Sequence, residues 1–207
     1  VPDIIRSVIP LNIGLPSINF YLKQHFEYSY EKPMLKSLFT LSSTMEYHIL
    51  TTENKDLPRV VDLNQDALPA VSSITLNNLT QFLEMADYFR VIKVKNDIAG
   101  FLIALTPGKD YHSPNYKWFE KKYSQFMYVD RIVIDPSFQS RGLGRAFYDD
   151  LKIFSQRYTP IITCEVNLKP KNEGSLLFHK KYGFEQMGTQ ETEGGKKKVS
   201  LMVYKIP

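Results

Sequence analysis

The stretch from Phe126 to Arg157 constrains the fold more than any other part of the chain. It reads FMYVDRIVI, then DPSFQSRGLGR, then AFYDDLKIFSQR. The first string is dominated by β-branched and aromatic residues and predicts a strand over Phe126–Ile134. The last carries Leu143, Phe147, Leu151 and Phe154 on one stripe and predicts a helix from about Arg141 to Arg157. Between them, Gly142 and Gly144 strip side chains from a strand-to-helix turn, where the backbone must come close to something. The first turn of such a helix offers unpaired N–H groups and the positive end of its dipole. Arg141 and Arg145 add charge at the same end. Together these features make a site for phosphate oxygens.

Three identities compete for this turn. A P-loop needs GxxxxGK[ST], and the sequence contains no such string. A dinucleotide fingerprint needs a third glycine where Phe147 stands, although Glu165 does lie roughly twenty residues on. Only about 60 residues follow, too few to complete a doubly wound fold. The third pattern, Q/R-x-x-G-x-G/A, is matched fully by Gln139-Ser140-Arg141-Gly142-Leu143-Gly144. That turn resembles motif A of the GNAT superfamily of acetyl-CoA-dependent N-acetyltransferases. The preceding Ile134-Asp135-Pro136 stands in the family's usual register. Downstream, Asn172, His179, Gly183 and Phe184 form N-x₆-H-x₃-GF, similar to the family's closing N-x₆-Y-x₃-GF.

The coarse reading of the remaining chain agrees in order. Met45 opens a strand-like MEYHILTT, in which Tyr47, Ile49 and Thr51 alternate against their neighbours. Helices are expected over Asp56–Asp66, which Pro69 ends, and over Leu76–Tyr88. A hairpin follows, with strands Phe89–Lys95 and Ile98–Leu105 turning at Asn96-Asp97. Lys109–Gln125 reads as a long polar and aromatic connection, of a length that is usually functional or mobile. A strand over Ile161–Asn167 precedes a helix, Asn172–Tyr182, with Asn172 placed as its N-cap and Gly183 as its C-cap. Strands Glu185–Gln190 and Val199–Lys205 close the chain around EGGKKK.

The fold class is therefore α/β (α+β). The resemblance makes it a GNAT-like mixed, mostly antiparallel sheet flanked by helices, whose fourth and fifth strands, Phe126–Ile134 and Ile161–Asn167, splay apart. It covers residues 45–207, the expected acetyltransferase domain. Residues 1–44 have no counterpart in the basic family unit and read as an N-terminal extension of uncertain role.

The resemblance also distributes roles. The pantetheine arm of acetyl-CoA, the expected cosubstrate, would pair with the backbone of Ile132, Val133 and Ile134 like an added strand. The pyrophosphate would fall to Gln139 and to the N–H groups of Ser140, Arg141, Gly142, Leu143, Gly144 and Arg145. Asn172 holds a position that commonly approaches the pantetheine, beside its role as helix cap. Attack of an amine on a thioester needs a proton acceptor, because an ordinary amine is mostly protonated at neutral pH. In ITCEVN, alternation sets Thr163, Glu165 and Asn167 on one face, and Glu165 matches the glutamate that serves as base in some family members. A structural or substrate-recognising carboxylate is the alternative. His179 fills the place of the family's acid tyrosine and would act as an imidazolium, with Tyr182 as a weaker alternative. Cys164 faces the apolar side and reads as core. Tyr111, His112, Asn115, Tyr116 and Trp118 sit where the acceptor loop would lie, and Asn64 and Ser72 border the same side. Tyr111, Tyr116, Asn64 and Ser72 are the expected acceptor contacts.

Composition sets the outer limits. In 207 residues the net charge is +4, too small to argue for nucleic acid but suited to an anionic ligand. One cysteine excludes an intramolecular disulfide and a multi-cysteine zinc site, so no metal is expected and a reducing, cytoplasmic setting is the default. No apolar run is long enough to cross a membrane. The partner is then a small-molecule or peptide amine; its identity is not legible, and a homodimer is left open. A catalytically silent acetyl-CoA-binding regulatory module is the rival reading.

Overall fold

The protein is described here by a computed structural model covering Ile5–Ser7 and residues 45–207. The expected extension, residues 1–44, lies outside the described residues except for Ile5–Ser7, which form an edge strand, β1. The elements that follow are β2 (Tyr47–Thr51), α1 (Leu57–Asp66), α2 (Leu76–Met85), β3 (Tyr88–Val94), β4 (Asp97–Leu105), α3 (Pro114–Lys122) and β5 (Met127–Ile134). Then come α4 (Leu143–Ser155), β6 (Ile161–Lys169), α5 (Glu173–Tyr182), β7 (Glu185–Thr192) and β8 (Lys197–Lys205). They build one mixed sheet in the order β1-β2-β3-β4-β5-β6-β8-β7. Every neighbouring pair is antiparallel except β5–β6, which is parallel.

Two apolar layers cover the sheet. α4 and α5 pack on one face through Phe147, Tyr148, Leu151 and Phe178 against Leu102, Val129, Ile162 and Cys164. α1, α2 and α3 cover the other, with Val60, Leu79 and Phe119 against Phe101, Ile103, Tyr128 and Leu201. β4 lies between both layers, so seven residues from Ala99 to Leu105 lack a solvated side except where Gly100 has none to show; this explains its nearly unbroken apolar run.

Local turn chemistry holds where it was legible. Asn172 caps α5, its Oδ1 accepting from Ser175 N at 3.0 Å, and Gly183 ends that helix at φ 117°. Three elements differ from expectation. α2 stops at Met85 because Ala86 is extended and Tyr88 already belongs to β3, where its hydroxyl donates to Asp150 at 2.6 Å. The β3–β4 turn falls at Lys95-Asn96, with Lys95 at φ 55°, one residue before the expected position.

The third difference lies in the long connection, which contains α3. Ser113 caps that helix, Pro114 opens it, and Tyr116 and Phe119 are buried under it. Two buried aromatics three residues apart, set among lysines, give too narrow a stripe for a periodicity argument.

β5 carries the irregularity that shapes the site. Arg131 pairs with Ile103 and Val129 with Ala104, so Asp130 has no partner on β4. This bulge interrupts the alternation. Met127 and Val129 face α4 and α5, and after the bulge Ile132 and Ile134 face that side too. Asp130 and Arg131 both turn to the opposite side, where Tyr111 and Asn64 meet them.

Candidate active site

β5 and β6 pair only over Met127–Val129 and Ile162–Cys164. Beyond these residues they part, and a cleft of about 990 Å³ opens between them. One end of the cleft is the glycine turn; the other is the space between the α1–α2 loop and the start of α3.

The glycine-turn end carries left-handed backbone at the start of α4. Ser140 (φ 60°) and Gly142 (φ 84°) are both left-handed, and Gly142, the N-cap of α4, supplies no side-chain hydrogen bond to the helix. The first-turn N–H groups therefore lack a side-chain cap. Gly144 has a second reason to be glycine, since a Cβ there would lie 3.2 Å from the Phe178 ring of α5. Gln139 is tied to the strand end, donating from Nε2 to Ile134 O at 3.1 Å. Asp135 accepts from Ser137 N at 2.8 Å and pairs with Arg59 of α1, which fixes the exit from β5. Ile132, Val133, Ile134, Gln139, Ser140, Gly142, Leu143, Gly144, Arg145 and Asn172 all border the cleft. Arg141 instead stands over the Phe138 ring beside it. The turn and the free edge of β5 fit a long phosphorylated donor such as acetyl-CoA.

On the far side, Glu165 reaches the cleft from β6, on the α1–α3 side of the sheet. Its Oε2 is enclosed and has no hydrogen-bond partner among the described residues. Burial, and then the negative charge of Asp130, raise its carboxyl from 4.5 to about 7; Tyr128, Asn115 and the Arg131 charge oppose the rise. Asp130 is held in a clasp, taking the Tyr111 hydroxyl on Oδ1 and Arg131 Nε on Oδ2 at 2.7 Å. A carboxyl that titrates near neutrality beside an open gap can accept a proton from a bound amine.

His179 is not the imidazolium that the resemblance implies. It is 3% exposed, and burial pulls its ring down to about 4. Nδ1 lies 2.7 Å from the Ser175 carbonyl, which can only accept, so Nδ1 carries the hydrogen. Nε2 is then bare and accepts from the Tyr148 hydroxyl at 2.8 Å. A neutral ring with its hydrogen on a carbonyl has no proton to give. Tyr182 is engaged as well, donating to Asp149 Oδ1 at 2.9 Å, and burial raises its phenol. Cys164 is buried, and its thiol is pushed well above its ordinary value, as a core residue's would be.

The expected acceptor residues divide. Ser72 and Tyr111 border the cleft, but Asn64 and Tyr116 do not. Asn64 is fully buried: its Nδ2 donates to Ser72 O at 3.0 Å and its Oδ1 accepts from Arg131 at 2.8 Å, clamping the α1–α2 loop. Tyr116 donates to Thr106 O at 2.7 Å and accepts from Lys109 N at 3.0 Å, anchoring the loop before α3. Both place a wall of the cleft without lining it. Sequence reasoning missed Asp130 and Arg131, although two charges inside an apolar strand were the signal. It also missed Tyr148, which sits on the buried stripe of α4 with no local mark.

The cleft thus joins a parted parallel strand pair, a glycine turn with no side-chain cap at one end and a buried carboxyl on the other side. The comparisons give the family. The model described as "Acetyltransferase (GNAT) family" matches residues 57–184, and the chain belongs to that family. Among curated proteins none matches the sequence significantly.

Solved structures share the fold at low identity. Ard1 from Thermoplasma volcanium is 17% identical, with a TM-score of 0.64, over 78% of this chain and 98% of its own. The yncA protein of Salmonella typhimurium, solved with its cofactor acetyl-CoA, is 14% identical with a TM-score of 0.59 over 78% and 94%. Naa20 of Chaetomium thermophilum, in complex with a bisubstrate analogue, is 13% identical with a TM-score of 0.60 over 76% and 86%. Among the described residues no group of three or more His, Cys, Asp or Glu could hold a metal ion, and no helix is long and apolar enough to cross a membrane.

Proposed function

We propose that the protein transfers the acetyl group of acetyl-CoA directly to a primary amine, within a ternary complex, with Glu165 as the base. The observation that carries this reading is the buried carboxyl at the gap between β5 and β6, with Oε2 free and titration near 7. Family membership supports acetyl-CoA as donor, and a bisubstrate analogue bound to Naa20 is in keeping with both substrates meeting on one protein.

The amine enters from the side of Ser72 and Tyr111 and gives its proton to Glu165. Its nitrogen then attacks the thioester carbonyl, whose developing oxyanion is held by a β5 backbone N–H. The C–S bond breaks as the amide forms. The nitrogen's second proton passes through water to the departing thiolate, since His179 is neutral and Tyr182 is held by Asp149. The acceptor is a small-molecule or peptide amine, and the single buried cysteine supports a cytoplasmic setting.

The test is a panel of amines incubated with labelled acetyl-CoA. Glu165→Gln should lower turnover by about 10²–10⁴ and leave acetyl-CoA affinity unchanged. Full turnover in that variant would remove Glu165 from the role.

A further inference from the structure

The charges that line the Glu165 end of the cleft balance in pairs, with one left over. Arg131 meets Asp130 at 2.7 Å, and these side chains are only 8% and 4% exposed. Arg131 Nη1 is also taken, by Asn64 Oδ1 and Ser72 O. Lys197 of β8 meets Glu193, in the turn after β7, at 2.8 Å. Glu165 is what remains, and its Oε2 has no partner among the described residues. The other cleft charges, Arg145 and Lys181, belong to α4 and α5 on the opposite face of the sheet. Asp110 and His112, beside Tyr111, pair in open solvent at 3.3 Å and do not line the cleft.

The wall around these pairs is largely apolar. Ala67, Ala70 and Val71 from the end of α1 and its following loop, Pro114 of α3 and Val199 of β8 line it. Its amides are occupied: Asn167 Nδ2 donates to Pro69 O and Ala70 O at 3.3 and 3.2 Å, and Asn115 Oδ1 accepts from Gln190. Lys197 lies on the side of Glu165, because Glu165 sits opposite Leu201 and the period of two carries that face along β8 through Val199 to Lys197. Four residues separate Lys197 from Leu201, about 13 Å of strand.

An acceptor seated here brings one ammonium to Glu165 and lays its body on the apolar wall. A second ammonium would meet only anions that are already paired, and a carboxylate only paired cations. Each would give up water without gaining a counter-charge. Given the reading of Glu165 as the base, which makes this end the acceptor's, we propose that the acceptor is a primary amine whose nitrogen is its only charge, carried on an uncharged, largely apolar body. Alkyl and aryl amines share that chemistry with the α-amine of a capped peptide whose first residue is apolar. Polyamines, aminoglycosides and free amino acids lack it. Glu193 and Lys197 act as specificity residues, each keeping the other's charge from the acceptor's far end.

The test uses the whole chain with acetyl-CoA and three acceptors that differ only at the far end: octylamine, 1,8-diaminooctane and 8-aminooctanoate. Their chain spans most of the distance to Lys197. Octylamine should be preferred to either of the others by about ten-fold or more in kcat/KM. Lys197→Met uncovers Glu193 and should raise the diamine about three-fold relative to octylamine, the scale of a half-exposed ion pair. Glu193→Gln uncovers Lys197 and should do the same for the carboxylate. A change common to all three acceptors, which a merely structural turn would give, overturns the assignment. So does a diamine or carboxylate taken as readily as octylamine by the unsubstituted protein. An amide-capped peptide with an N-terminal leucine and no other charge, run beside octylamine, tells a peptide terminus from a small amine; preference for either supports the chemistry they share. If none of these is acetylated, NMR titration of the protein reads the same order in binding, and octylamine that does not bind overturns the proposal. If Glu165→Gln keeps full turnover while the order of acceptors holds, the acceptor class stands and the base assignment falls. Lost turnover in Glu165→Gln without that order removes the acceptor class alone.

Discussion

Replacing Glu165 by glutamine should change stability in a way that depends on pH, and the change can be measured without knowing the acceptor. The carboxyl titrates at 4.5 when exposed and at about 7 in the fold. Between those values the folded protein keeps a proton that the unfolded chain has released. Stability must therefore fall as pH rises through that window, and the full loss is reached above pH 7. At 1.36 kcal/mol per pH unit, the span is worth about 3 kcal/mol.

Glutamine has the same shape and no charge to desolvate, so it escapes this loss. Relative to the unsubstituted protein, Glu165→Gln should gain about 3 kcal/mol between pH 4.5 and pH 8. In a chain of this size that corresponds to roughly 6–12 °C in Tm. The assay is urea or thermal unfolding of both proteins at pH 5 and pH 8, followed by circular dichroism. Other titrating groups, His179 included, are common to both proteins and cancel in the comparison. A stability difference that is the same at both pH values would mean that Glu165 titrates as an exposed carboxyl, and the argument for a poised base would fail.

Two further outcomes follow from the same geometry. Gly142→Val forces a β-branched residue into φ 84°, at a cost of about 1–2 kcal/mol, and puts a side chain where the turn must stay bare. Calorimetry should find acetyl-CoA binding abolished in the folded variant, and unchanged affinity would clear the turn of the phosphate role. His179 should behave as a neutral core residue: the unfolded chain protonates it at 6.5, whereas the fold resists to about 4, so stability falls on acidification through that window. His179→Phe should flatten this acid slope in unfolding experiments and leave the alkaline limb of turnover in place; loss of that limb would restore the histidine as an acid.

Much of the molecule was legible before any coordinates, and the legible parts share a property. The Gln139–Gly144 turn, the Asn172 cap and the Gly183 stop depend on residues within about four positions of one another, and short-range backbone chemistry is written in sequence order. The side of the sheet that Glu165 occupies followed from the period of two along β6, which has no bulge before Asn167. β5 has one, at Asp130, and no reading of β5 alone could place it, because a bulge is a mismatch with the partner strand β4.

The same limit explains His179. Its position in the motif was visible, but its charge is set by burial and its ring nitrogens are taken by the Ser175 carbonyl and by Tyr148, 31 residues away on another helix. Asn64 and Tyr116 were in the right neighbourhood, yet they turned inward because Ser72 O, Arg131, Thr106 O and Lys109 N were there to satisfy them. The chain by itself determined the family, the order of its elements and the place of the glycine turn. Tertiary structure decided which polar side chains face the cleft, which clamp its walls and which carry a proton at neutral pH, because charge state and orientation depend on the dielectric and on partners that only folding brings together.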